Sequence, residues 1–256
     1  MHYLLHLQQI VLQAQLLQQI KRKGMNKMDI IGFIGVYDKT DLLLNIAKIL
    51  TTMKKSVLII DSTIEQKTKY VVPAINPTAS YITSFEDFDV AVGFNNLEQI
   101  RQYFGGQEIQ YNIVLISVDS AEKFEAFELN KAKKNFFVTG FDLYTLKRGL
   151  EIFNNLNEKI NLTKVLFGIE KISEGNEYLN FLATNYKIEW NMSEIMIPIE
   201  LQNLEAFMDN QRNQKIKFSD FSVQYKDGLI FIVQEILNQS TDSGVRRIVK
   251  MIEKGV

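Results

Sequence analysis

Lys39 and Thr40 stand side by side where a short apolar run gives way to a helical pattern, within FIGVYDKTDLLLNIAKIL, residues 33–50. A lysine and a hydroxyl at a helix mouth suit anion chemistry. The ammonium can lie on phosphate oxygens, the hydroxyl can hold Mg²⁺, and the helix N-terminus adds N–H donors. Other chemistries find less support. Asp87 and Asp89 are close enough in sequence to act as paired carboxylates, but nothing places a base or nucleophile beside them. His2 and His6 have the i, i+4 spacing of metal ligands, without a third or fourth ligand nearby. Both histidines fall in the N-terminal segment, so a Ser-His-Asp triad has no partner in the rest of the chain. The chain has no cysteine. That removes thiolate zinc sites, Cys nucleophiles and disulfides, and fits a reducing cytoplasm.

The elements that would carry Lys39 and Thr40 follow from the pattern of apolar runs. Ile30–Gly35, Val57–Ile60, Asp89–Val92, Ile113–Ile116, Phe136–Thr139, Lys164–Gly168 and Ile195–Pro198 are mostly continuous apolar stretches. Such runs are expected of strands buried on both faces of a parallel sheet. Lys39–Thr52, Leu97–Phe104, Ala121–Lys131, Leu143–Asn154 and Glu200–Asn210 lie between or after them with the spacing of amphipathic helices. The alternation predicts an α/β fold of three layers, a mostly parallel central sheet flanked by helices. No Gly/Ser-rich linker divides residues 29–238, which are expected to form one domain. In such a sheet the loop after the first strand opens at the carboxyl edge, where ligands bind. SFEDFDVAVGF should enter a strand with Phe85 and Phe88 in the core, and KAKKNFF, residues 131–137, should close a helix with cations at its negative end.

The two ends differ in character. Residues 1–24 are rich in Leu and Gln, with a basic end and no acidic residue. They suit an appended amphipathic or coiled-coil helix, a membrane-surface helix, or an extension ahead of a start at Met25 or Met28. Residues 239–256 place Val245, Ile248, Val249 and Ile252 on one helical face, with Arg246, Arg247, Lys250 and Lys254 largely off it. A basic amphipathic helix of this kind either lies on a membrane or partner surface or docks as the last helix of the domain, with Thr241, Asp242 and Ser243 as its N-cap. Net charge is -1, and no cluster of Arg with interleaved aromatics occurs, so nucleic acid is not an expected partner. No apolar run reaches the roughly 18 residues of a membrane span.

The run GVYDKTDLLLNIAKIL followed by KKSVLIIDST resembles the opening of the ParA/MinD family of deviant P-loop ATPases, TadZ-like members included. The family reads KGGVGKTT, then three residues, then NLA, and later VLLIDLD. Lys39, Thr40, Asn45, Ala47 and Asp61 fall on matching positions, with Gly35 as the surviving loop glycine. The late segment IPIELQNLEAFMDNQ resembles the family's VPYDPNVLEAMNNG, so the likeness spans roughly residues 29–238. It implies a P-loop NTPase-like fold, cofactor contacts at Gly35, Asp38, Lys39, Thr40 and Asp41, a metal contact at Thr40, and a water-orienting role for Asp61.

The departures fall on the same site. Ile34 stands at the family's signature lysine, and Val36, Tyr37 and Asp38 replace Gly, Val and Gly. Forcing such residues into left-handed backbone would cost about 1–2 kcal/mol each. The Asp38 carboxylate about 4 Å from a phosphate would repel it by roughly 4 kcal/mol at an effective dielectric near 20, and it would compete for Lys39. Ser117 takes the place of a magnesium-associated Asp, with Asp119 two residues on, and Gly168 takes the place of the base-reading Asn. The resemblance therefore implies a pseudo-ATPase with no ATP or Mg²⁺, a cytoplasmic or peripheral scaffold or regulator for the placement or assembly of a cellular machine. Its expected partners are proteins, either a homologous ATPase or a second copy, with a membrane surface reached through the last helix. The competing expectation is an active switch that dimerises on ATP.

Overall fold

The computed structural model describes residues 28–73, 80–169, 172–238 and 243–255. The readings of residues 1–24 and the cap at Thr241 and Asp242 lie outside these. The chain opens with β1 (Asp29–Ile34), α1 (Thr40–Thr52), β2 (Val57–Asp61) and the single turn α2 (Thr68–Val71). It continues through β3 (Tyr81–Phe85), β4 (Phe88–Val92), α3 (Leu97–Tyr103), β5 (Ile113–Val118) and α4 (Ala121–Ala126). Next come β6 (Lys134–Thr139), α5 (Leu143–Leu150), β7 (Ile160–Gly168), α6 (Ile172–Ala183) and β8 (Ile188–Pro198). Three helices close the chain: α7 (Leu201–Asn213), α8 (Val223–Leu237) and α9 (Ser243–Glu253).

The eight strands form one sheet in the order β3-β4-β2-β5-β1-β6-β7-β8. Every neighbouring pair is parallel except β3 with β4, a hairpin at one edge. The pleat sends alternate residues to opposite faces, and both faces are covered. Ile31, Phe33, Ile59, Leu115 and Phe136 meet α1, α7, α8 and α9 on one side. Ile34, Leu58, Ile60, Val114 and Phe137 meet α3, α4, α5 and α6 on the other. That double cover is why the strands read as unbroken apolar runs. The α/β fold with a mostly parallel sheet between helical layers is the one the pattern predicts.

The central position of β1 decides where the site lies. Its neighbours are β5 on one side and β6 on the other. The chain leaves β1 through α1 toward β2, and later crosses from β5 to β6 on the far side of β1. The loop after β1 thus opens at the point where strand order reverses. α1 is deeply buried, and Asn45 inside it donates to the Tyr225 hydroxyl of α8 at 2.9 Å.

Some elements differ from expectation. The helix expected over 121–131 breaks after Ala126 because Glu128 takes φ +51°, and only a short 3₁₀ turn, Leu129–Lys131, follows. Lys134 begins a strand instead of closing a helix, and its ammonium pairs with Glu235. Phe85 and Phe88 are buried as expected, paired across the turn of the β3–β4 hairpin. Asp87 and Asp89 serve structure: Asp87 pairs with Lys48, and Asp89 accepts from Ser84 and Tyr111.

α9 takes the docked arrangement of the two considered. Val245, Val249 and Ile252 are buried against the core that holds α1 and α8, and Ile248 packs on it. Arg246 pairs with Asp227 at 2.6 Å, and Lys226 reaches Glu253 at 2.5 Å. The apolar face offered to a membrane or partner is therefore taken up by the domain, leaving Arg247 and Lys250 exposed on the other side. Among the described residues no helix is long and apolar enough to cross a membrane. Truncating the fully buried Val245 to Ala should lower unfolding stability by about 2 kcal/mol in urea titrations; a helix held away from the domain would show no loss.

Candidate functional site

β1 ends at Ile34 and turns at Gly35, whose φ is +134°. A Cβ at Gly35 would stand 2.2 Å from the Val138 carbonyl oxygen, so only glycine fits under β6. Val36, Tyr37 and Asp38 all keep φ out of the positive region. The expected left-handed strain is absent because the loop follows a path that side chains tolerate.

Lys39 is 3% exposed and points its ammonium back into the loop. It donates to the Gly35 carbonyl at 2.5 Å and the Tyr37 carbonyl at 3.0 Å. Burial pushes its pKa down to about 8, against the pull of Asp119, Asp61 and Asp38. Asp38 takes a different partner from the one expected. Its Oδ1 accepts from the Thr40 N–H at 2.9 Å, at the first residue of α1, and its Oδ2 meets the Lys67 ammonium at 3.2 Å. Burial alone would raise the Asp38 carboxyl. The Thr40 hydrogen bonds and the Lys67 charge outweigh that and hold it below the usual range.

Asp61, at the end of β2, is 3% exposed and engaged through both oxygens. Oδ1 accepts from the Thr63 hydroxyl and N–H at 2.7 and 3.1 Å, and Oδ2 from the Thr68 N–H at 3.1 Å. Asp119 accepts from the Ile64 N–H. The two carboxylates hold the loop between β2 and α2 over the end of β1, which brings Lys67 to Asp38. Lys39, Thr40, Asp61, Lys67, Ser117 and Asp119 line one cavity of about 230 Å³, with Tyr144 and Arg148 at its rim. Asp119 and Ser117 share that side, as the period-2 reading requires.

Asp41 does not join this cavity. It lies in the first turn of α1, facing α7, where the Gln211 amide donates to both carboxylate oxygens at 3.1 and 2.9 Å. Burial first, and then Asp38, push its pKa up to about 6. Two participants were not foreseen from sequence. Lys67 lies in a polar stretch without periodicity, and the Tyr37 ring stacks on Phe167 of β7 with centroids 4.6 Å apart. The aromatic character of Tyr37 and Phe167 was the only signal for that stack, and no sequence pattern marked Lys67. Among the described residues no three His, Asp or Glu side chains converge to hold a metal ion.

The fold has solved counterparts. A chain of the MinC:MinD cell division protein complex of Aquifex aeolicus is 15% identical, with 83% of this chain and 97% of that chain covered and a TM-score of 0.57. The MinD cell division protein of the same organism is 13% identical, covering 83% and 98%, with a TM-score of 0.54. A putative plasmid partition protein of Borrelia burgdorferi, bound to AMPPNP, is 13% identical, covering 84% and 100%, with a TM-score of 0.53. At these identities the likeness establishes a shared fold. No family model matches the chain, and no curated protein matches it.

Gly35→Ala should destabilise the protein by about 3 kcal/mol, since a Cβ overlaps backbone and the φ is unfavourable; urea unfolding reads this. Asp41 has a folded pKa of about 6 against an unfolded 3.8, so the folded state binds its proton more tightly. Its contribution therefore falls as pH rises from about 4 to about 6. Asp41→Asn should flatten that part of the stability profile and gain on the order of 2 kcal/mol at pH 7.

Proposed function

We propose that the chain is a ParA/MinD/TadZ-like pseudo-ATPase, a scaffold or regulator that places or assembles a cellular machine without turning over nucleotide. The observation that carries this reading is the Asp38 carboxylate on the Thr40 N–H, paired there with Lys67. A helix N-terminus attracts phosphate through its open N–H groups and its dipole. Here a fixed anion of the chain already holds part of that position. Lys39 is likewise turned onto loop carbonyls, and Asp61 and Asp119 are engaged by the loop above them. As arranged, these residues do not fit Mg-ATP, and no step of a reaction is assigned to it.

The partition and cell-division names of the structural counterparts support a positioning role. The α/β domain of residues 29–238 would act in the cytoplasm or at a membrane surface, through protein partners, either a homologous ATPase or a second copy. A second reading is favoured by one observation: Lys39, Thr40 and Asp61 do line a common cavity. In an active switch, Lys39 and Thr40 would take phosphate and Mg²⁺, and Asp61 would orient water.

Phosphate release from Mg-ATP separates the two. The wild-type chain and Lys39→Ala should both give the buffer rate, and Val36→Gly with Asp38→Gly should not create turnover. Hydrolysis that disappears in Lys39→Ala would establish the switch instead. Turnover gained from the two glycines alone would show that the loss is confined to the loop.

A further inference from the structure

A second cavity, of about 150 Å³, lies between α1, α7 and the carboxyl ends of β7 and β8. Leu42, Phe167, Ile197 and Phe207 give it an apolar floor, and Asp38, Asp41 and Glu200 stand along its edge. Asp38 is neutralised by Lys67. Asp41 and Glu200 have no basic partner among the described residues. Asp41 is bonded by the Gln211 amide, and Glu200 accepts from Asn203. Lys39 cannot serve them, because its ammonium is held by the Gly35 and Tyr37 carbonyls on the other side of the loop. The cavity is thus an apolar slot with two carboxylates at its edge and no cation of its own.

Its surroundings are those of a macromolecular contact. Leu201, Leu204 and Met208 follow one face of α7 at i, i+3 and i+7, and they expose 79%, 43% and 47% of their surface. Ile199, at 37% exposure, joins this stripe to the cavity mouth. Soluble proteins seldom leave such contiguous apolar surface uncovered without use. The opening is about the size of one long side chain and is too small for the usual organic ligand.

We propose that this cavity and the outer stripe of α7 form a docking surface for a protein partner that inserts an arginine or lysine side chain toward Asp41 and Glu200. The aliphatic stem of such a residue lies on apolar walls while its charge reaches the carboxylates. Arginine suits the site better, since its planar fork can satisfy two carboxylates at once and stacks on aromatic faces. Apolar residues flanking it would cover Leu201, Leu204 and Met208. A buried basic anchor ringed by apolar contacts is the usual anatomy of an interface hot spot. The inference rests on the scaffold reading only in requiring a protein partner, and peptide titration reads it separately from the phosphate-release assay.

The test compares two short peptides, one arginine flanked by leucines and the same peptide with citrulline, the neutral isostere. Each is titrated into the full chain near pH 7.5, with the isoleucine and leucine methyl groups followed by NMR. The arginine peptide should shift Ile197, Ile199 and Leu204, with citrulline at least about ten-fold weaker. Asp41→Asn and, separately, Glu200→Lys at the rim should each weaken the arginine peptide at least about five-fold while the remaining spectrum stays native. Equal binding by the two peptides would overturn the proposal. So would arginine binding that survives both substitutions, or no binding by either peptide at millimolar concentration.

Discussion

The Asp38 carboxylate at the mouth of α1 is the contact on which the rest of the site depends. It meets the first N–H of the helix, so the favourable field of the helix end acts on a charge belonging to the chain. Because that charge is negative, it draws Lys67 across, and with it the loop after β2. The same loop is fastened from below by Asp61 and Asp119. Lys39, left without an anion, satisfies its ammonium on carbonyls of its own turn. The Thr40 N–H and the Lys39 ammonium, two groups that could receive a phosphate, are thus each engaged by a neighbour.

The turn that permits this is held from beneath by packing. Gly35 passes under the Val138 carbonyl with no room for a side chain, which fixes the start of the loop. α1 is then anchored at two further points, through Asn45 to Tyr225 and through Asp41 to Gln211. Those contacts join the loop to α7 and α8, so the phosphate-side cavity and the apolar slot are two sides of one short segment. Tyr37 stands between them and lines both.

Much of this architecture can be read from the chain because the central strands are buried on both faces. VLIID and NIVLISV carry no polar alternation to confuse them, and the helix after Lys39 has clear amphipathic spacing. The long apolar stretch GLIFIVQEIL within α8 was harder, since a helix wedged among α1, α9 and β8 shows little contrast between its faces. α9 has strong contrast, yet the sequence could not say whether membrane or domain would receive its apolar side. In the site, the substitutions at 36–38 were plain, but their consequence was not. Whether Asp38 would bind Lys39 or a distant lysine depends on the path of the loop 29 residues away, which no local pattern encodes. The placement of Asp41 was hidden for a similar reason: one residue past Thr40 the helix has rotated the side chain toward α7.

In the proposed reading the loop after β1 is already filled by its own side chains. Calorimetric titration of Mg-ATP and of Mg-ADP into the full chain tests it most directly. The account predicts no binding heat up to millimolar nucleotide. Micromolar binding of either nucleotide would contradict it, because Asp38 would then have to yield the Thr40 N–H and Lys39 would have to leave its carbonyls.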